Sequence, residues 1–252
     1  MQHRQSRRQF LTITAAAAAA SCVHSELPAA PSKSANEKLN IACVGVNRRA
    51  AADIAACASQ NIAGICDIDD NYLAAAAQRY PTAEKFNDFR KMLDKLEQQI
   101  DAVVVGTPDH IHAPASAMAM RMGKHCYCEK PLTHTVHEAR VLAQIAAENK
   151  LVTQMGTQIH AGENYRRVVE IIQAGVIGDV REVHVWVGKG WGGGDRPKET
   201  PPVPANIHWD LWLGPAPERP YHPTYLPAAW RRWWDFGGGT LGDMGCHYID
   251  LP

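Results

Sequence analysis

The chain's 252 residues leave room for one large or two modest domains. Twenty-six basic and twenty-six acidic residues give a formal charge of zero, which argues against a nucleic-acid-binding face or an acidic tail. Seven cysteines, odd in number, scattered and without a C-x-x-C pair, exclude a disulfide framework.

Residues 1–35 stand apart from the rest. Arg7 and Arg8 in "SRRQFLT" precede a weakly apolar run, Phe10 to Ala20, and then small residues, the pattern of a twin-arginine export leader. That run is too short to span a bilayer, so no transmembrane helix is expected in the mature protein. The expected location is periplasmic or otherwise extracytoplasmic. Cys22 after "AAS" is a lipidation candidate, although Ala19 stands where such sites usually carry Leu. The competing reading of the whole stretch is a disordered alanine-rich leader. "HSELPAAPSKSANEK" then reads as a flexible linker.

From 36 to 157 short apolar runs alternate with helical patterns. The predicted strands are Ile41–Val46, Ile62–Cys66, Ala102–Val105, His125–Cys128 and Leu151–Met155, and helical stretches separate them. Strands of about five residues with little alternation, linked by helices, predict a doubly wound parallel sheet buried on both faces. Cys126 and Cys128 alternate within one strand, so they should share a face and pack as small hydrophobes.

The composition changes in 158–252. All seven tryptophans lie beyond residue 185, and nine of the sixteen prolines fall between 197 and 227. "REVHVWVG" at 181–188 alternates as a half-buried strand does. Lys189 to Pro227 is long and irregular, which points to function or to ordering by a partner. "LGDMGCHYIDLP" reads as a helix at the end of the chain. One clear strand cannot close a sheet core, so this part is expected to be an incomplete α+β domain.

Four stretches carry chemistry. Gly45, Asn47 and Ala50 occupy the glycine positions of a G-x-G-x-x-G dinucleotide turn, with Asp67 at the end of the next strand to meet an adenosine ribose and disfavour a 2′-phosphate. Asn47 is the serious departure, because a side chain enters space near the phosphates; Arg48 or Arg49 could contact them instead. "GTPDHIHAP" at 106–114 lies at the carboxyl end of a strand, where α/β sheets bind ligands. A helix-capping turn explains Pro108 but does not call for His110 and His112. In "CYCEKPLTHT", Glu129 and Lys130 end another buried strand, and Lys130 there is either a surface residue or a donor or proton relay. In "GGGTLGDMGCHYID", Asp243 and His247 share a helix face with Asp250 one turn on. General base catalysis, a metal site of Asp243, His247 and Asp250, and a capped helix with a satisfied histidine all fit that pattern.

Together and in this order, these stretches resemble the glucose–fructose oxidoreductase, inositol dehydrogenase and rhizopine-catabolism (Gfo/Idh/MocA) family, most specifically through "EKPL" at 129–132, "QAGVIGDVREVHVW" at 173–186 and "GGGTLGDMGCHYID" at 237–250. The leader and "WDLWLGPAPERPY" at 209–221 look like its exported branch. The resemblance implies a Rossmann domain followed by a domain with a large open, mainly antiparallel sheet that commonly forms subunit contacts, so a homo-oligomer is implied. Relatives typically run well past 300 residues, so a C-terminal truncation is expected. The resemblance further implies NAD as cofactor, with NADP disfavoured by Asp67, and a sugar or cyclitol substrate. Lys130, Asp243 and His247 would be catalytic: His247 removes a hydroxyl proton, Asp243 orients substrate and imidazole, and Lys130 bonds the oxygen that becomes the carbonyl. Gly45, Asn47, Arg49, Asp67, Thr107, Pro108, His110, Glu129 and Lys130 are expected at the cofactor, and Trp230, Arg231 and Asp250 at the substrate. This chemistry needs no metal. Two other readings remain: a glycosidase with tightly held NAD, and a degenerate sugar- or protein-binding protein.

Overall fold

The computed structural model describes residues 37–252; the leader and Cys22 lie outside the described residues. Six parallel strands form one sheet: β1 (Asn40–Val44), β2 (Asn61–Cys66), β3 (Glu84–Phe86), β4 (Ala102–Val105), β5 (His125–Glu129) and β6 (Thr153–Gly156), in the order β3-β2-β1-β4-β5-β6. Between them run α1 (Arg49–Ala56), α2 (Asp70–Arg79), α3 (Phe89–Leu96), α4 (Asp109–Arg121) and α5 (Val136–Glu148).

Both faces are buried, as the continuous apolar runs require. Ala42, Val44, Val103, Val105, Cys126 and Cys128 pack with Met92, Leu93, Leu142 and Ile145 of α3 and α5. Ile41, Cys43, Ile65 and Val104 pack with Ile54, Leu73 and Ala76 of α1 and α2. Cys126 and Cys128 thus share one face, and burial pushes both thiols up, so they behave as small hydrophobes. Local signals start the helices. Asp69 and Asp88 accept from Asn71 N and Arg90 N, and Thr135 and Glu138 form a capping box, each cap contributing about 1 kcal/mol.

The order reverses between β1 and β4, so α1 and α4 leave on opposite faces and a crevice opens between their N-termini. The carboxyl ends of β1, β2, β4 and β5 deliver Gly45, Asp67, Gly106 and Glu129 to that edge.

Beyond Gly156 come α6 (Glu163–Gln173), α7 (Trp209–Leu213), a 3-10 turn (Ala229–Arg232) and α8 (Gly239–Tyr248). The strand predicted at 181–188 does not form. Val183 and Val185 are exposed and Trp186 is 77 % exposed, because no neighbouring strand offers a ladder among the described residues. The predicted open antiparallel sheet is therefore absent from the described residues, where the only β-pairing after Gly156 is an isolated antiparallel bridge, Asp69–Ile207. Trp209, Trp212, Tyr225, Trp230 and Phe236 instead form a small aromatic core of their own, with Trp209 and Trp212 stacked at 4.7 Å.

Candidate functional site

Two adjoining clefts of about 840 and 850 Å³ lie along the sheet edge, and Asn47, Arg48, Gly106, Thr107 and Pro108 line both. One holds Gly45 and Asp67; the other holds Glu129, Lys130, Asp243 and His247.

The turn after β1 keeps the first glycine for a physical reason. Gly45 has φ 86°, and a Cβ there would lie 2.7 Å from Gly106 O. The third role, close packing of helix and strand, has moved to the opposite partner. Ala50 carries a Cβ, and Gly106 makes room for it: a Cβ on Gly106 would lie 2.7 Å from Ala50 Cβ. Asn47, at the middle position, lines both clefts. The backbone strain falls on Arg48 (φ 53°, ψ −117°) and not on Asn47, which is absent from the left-handed residues. Arg48→Gly should therefore raise the melting temperature, by the equivalent of about 1 kcal/mol after the entropy of the new glycine is subtracted; an unchanged or lower Tm would count against strain at this residue. Arg48 caps α1 without a side-chain hydrogen bond, and no acidic residue stands in the first turn. The helix thus presents its positive end to the crevice, as an anion site requires.

Asp67 is fixed by the same turn. Its Oδ2 accepts from Val46 N and its Oδ1 from Asp69 N, both at 3.0 Å. Burial pushes its carboxyl up to about 6 while the amides of Asp69 and Val46 pull it back. Arg49, expected at phosphate, is engaged elsewhere. Its Nε donates to Glu129 Oε1 at 3.1 Å and its Nη2 to Asp53, which ties α1 to the end of β5. Tyr127 Oη also donates to Glu129 Oε1, at 3.3 Å.

Lys130, Asp243 and His247 reach one cleft, but their pairing differs from the sequence expectation. Lys130 Nζ donates to Asp243 Oδ1 and to Asp243 O, each at 2.7 Å. Arg231 Nε donates to Oδ1 at 3.1 Å, Trp191 Nε1 donates to Oδ2 at 2.5 Å, and Lys189 Nζ lies 3.0 Å from Oδ2. Burial works against ionisation of Asp243, but the bonds from Lys130 and Lys189 outweigh it and hold the carboxyl well below the usual range. No hydrogen bond joins Asp243 to the His247 ring, so the imidazole is not oriented by Asp243. Burial first, then Lys130, push the His247 ring down, which keeps it neutral and able to accept a proton at pH 7.

Of the remaining expected residues, Thr107 and Pro108 line both clefts, and Trp230 and Arg231 line the Lys130 cleft. His110 does not reach a cleft. Its Nε2 donates to Trp212 O at 2.8 Å between the Trp212 and Phe236 rings, and burial pushes the ring down to about 4, so it stays neutral. Asp250 turns away to accept from His160 Nδ1 at 2.5 Å. Among the described residues no group of three or more His, Cys, Asp or Glu is arranged to hold a metal ion.

Two residues that line the cleft, Lys189 and Asp109, and Trp191, which bonds Asp243 behind it, escape sequence reasoning. Lys189 and Trp191 come from the irregular segment, where a tryptophan among five glycines is the one visible signal. Asp109 opens α4 and is 4 % exposed, lining the Lys130 cleft. Burial pushes its carboxyl up to about 7, against the pull of Arg231, the Gly238 amide and Lys130. A carboxyl raised in the fold adds stability that is full below its unfolded pKa and lost as pH rises through 7. Asp109→Asn should accordingly gain on wild type in thermal melts as pH goes from about 5 to 8. A parallel pH dependence of the two proteins would contradict the assignment. His112 ties the two ligand turns together, its ring nitrogens 2.8 Å from Thr107 O and 2.7 Å from Pro131 O.

Known proteins resemble this chain in sequence and fold. Residues 14–157 match the family model for the Gfo/Idh/MocA oxidoreductase family, NAD-binding Rossmann fold, and residues 162–252 match that for its C-terminal alpha/beta domain. The chain is 24 % identical over 194 residues to levoglucosan dehydrogenase of Pseudarthrobacter phenanthrenivorans, covering 74 % of this chain and 40 % of that protein. It is 26 % identical over 125 residues to inositol 2-dehydrogenase of Salmonella typhimurium, covering 49 % of this chain and 37 % of that protein. Scyllo-inositol dehydrogenase from Lactobacillus casei, solved with NAD(H) and scyllo-inositol, superposes with a TM-score of 0.51 at 25 % identity, over 57 % of this chain and 43 % of that one. The chain thus spans less than half the length of these relatives.

Proposed function

This chain belongs to the Gfo/Idh/MocA oxidoreductase family, and on that premise we propose that it is a dehydrogenase that oxidises a hydroxyl of a sugar or cyclitol with NAD. The observation that carries the reading is the Lys130–Asp243 pair at 2.7 Å, in one cleft with His247 and the Gly106–Pro108 turn at the carboxyl edge of the sheet.

The donor set fits a dinucleotide. The uncapped start of α1 with Arg48 suits a pyrophosphate, Asp67 a ribose diol, and the Thr107–Pro108 and Glu129–Lys130 turns a nicotinamide. An ionised Asp67 repels a 2′-phosphate, which favours NAD over NADP. When bound, the cofactor supplies a hydride acceptor beside the substrate carbon.

The chain's own groups do the rest. Neutral His247 takes the hydroxyl proton. Lys130, held by Asp243, donates to the oxygen that becomes the carbonyl and offsets its developing charge. Arg231 and Trp191 keep the Asp243 carboxylate in place, and the Arg231 guanidinium is itself positioned 4.2 Å above the buried Trp230 ring.

The Arg7–Arg8 pair and the apolar run after it support export of the mature protein. We divide the chain into a cofactor domain, 36–157, and a substrate domain, 158–252. No helix among the described residues is long and apolar enough to cross a membrane.

The test is NADH formation by purified protein with a panel of hexoses, anhydrosugars and inositols. Turnover of at least one, lost in His247→Ala, is the expected result. NAD-loaded protein that oxidises none of them would overturn the reading.

A further inference from the structure

After the irregular stretch, the chain folds back onto the loop that follows β2. Asp70 N donates to Asn206 O and His208 N donates to Ile68 O, both at 2.9 Å, and Asp69 and Ile207 form the antiparallel bridge. Side chains reinforce the seam. Asn206 Nδ2 donates to Asp69 Oδ1 at 2.9 Å, and His208 Nε2 lies 3.1 Å from Asp70 Oδ1. This loop starts at Asp67, the acid at the end of β2.

The other end of the segment is fastened across the crevice. Trp209, Trp212 and Leu213 are buried in the aromatic core, and Trp212 O accepts from His110 Nε2 at 2.8 Å. His110 belongs to α4, on the far side of the reversal in strand order from β2. From one attachment to the other the segment lines the Asp67 cleft with Asn206, Ile207, Asp210, Leu211 and Trp212, while Gly45 and Asp67 line it from the sheet edge. A large ligand in this cleft would lie between two parts of the chain, the sheet edge and this segment.

We propose that residues 204–213 are a clamp over the adenosine half of the dinucleotide, so that the cofactor leaves slowly and its residence time is set by opening of the seam at Ile68–Asp70. This rests on the reading of the Asp67 cleft as a dinucleotide site. It gives His110 a task that neither cleft supplies: it anchors the clamp to α4. Opening the seam breaks two backbone and two side-chain hydrogen bonds, and these act on dissociation far more than on encounter.

The test uses the full chain loaded with NADH and chased with excess NAD, following loss of NADH fluorescence. The double variant Asn206→Ala/His208→Ala removes both side-chain bonds and leaves the aromatic core intact. Its NADH dissociation rate should rise about tenfold, the loss of one or two hydrogen bonds, with the association rate changed much less. Amide hydrogen exchange gives a second readout: the Asp70 and His208 N–H groups should exchange more slowly when NADH is bound. NADH that binds and leaves at equal rates from wild type and variant, with exchange at both amides unchanged, overturns the clamp but not the dinucleotide site. Failure of NADH to bind at all overturns the site and the clamp with it.

Discussion

Lys130→Met is expected to lower kcat/KM for the oxidised sugar or polyol by about a thousandfold, while the affinity for NAD falls far less. One ammonium nitrogen bonds both the carbonyl and the carboxylate of Asp243 at 2.7 Å, and its side chain is only 8 % exposed. Methionine keeps the length of the stem and removes the donor and the charge. The carboxylate left behind still has Arg231, Trp191 and Lys189, so the fold should survive and the loss should appear in turnover. Arginine should not rescue the variant, because its planar fork cannot place a single nitrogen on both acceptors. Steady-state kinetics with the best substrate of the panel decides it. A Lys130→Met enzyme within about tenfold of wild type would reduce the lysine to a structural ion pair.

The second large effect is expected at a position with no polar chemistry. Gly106→Ala puts a Cβ 2.7 Å from Ala50 Cβ and 3.0 Å from Ala50 Cα, so α1 must shift away from the sheet. Overpacking of this kind should cost about 1–3 kcal/mol of stability. It also moves the start of α1, so NAD affinity should fall by about tenfold or more, since oriented donors lose strength steeply with geometry. Ala50→Gly removes the nearer of the two clashes, and the double variant should recover part of both losses. Thermal melts and NAD titrations of the four proteins form a double-mutant cycle. Strictly additive effects would show that Ala50 and Gly106 do not share one packing contact.

The Rossmann half was legible because its strands are short, apolar and buried on both faces, so composition alone separates them from helices. β1 ends two residues before its predicted limit, since Gly45 turns the chain at φ 86°. β3 gave no signal, being three residues long with Glu84 and Lys85 in it. The alternation at 181–188 was read as a strand, but alternation describes one strand's two faces and says nothing about whether a neighbour exists to pair with it. The glycine turn shows a related limit. Counting from Gly45 drew attention to the Asn47 side chain, whereas the backbone strain, which no count of residues contains, falls on Arg48. At the site, each sequence motif delivered its own members, Lys130, Asp243 and His247, to one cleft. The donors that fix Asp243 lie 113, 52 and 12 residues away in sequence, so only the fold could show that Lys130, Trp191 and Arg231 converge there. His110 was placed near the cofactor by its position in "GTPDHIHAP", yet its ring faces Trp212 on the other side of α4's first turn.

The central claim is that the turn from Gly45 to Ala50, despite its missing glycines, still belongs to a working NAD site. Titration of NAD into the purified full-length chain, followed calorimetrically beside Arg48→Gly and Asn47→Gly, tests it most directly. Binding by wild type at micromolar affinity or tighter, abolished by Gly106→Val, is the predicted result. Wild type that takes up no NAD while either glycine variant does would mean that the turn has lost the cofactor, and the oxidoreductase reading of this chain with it.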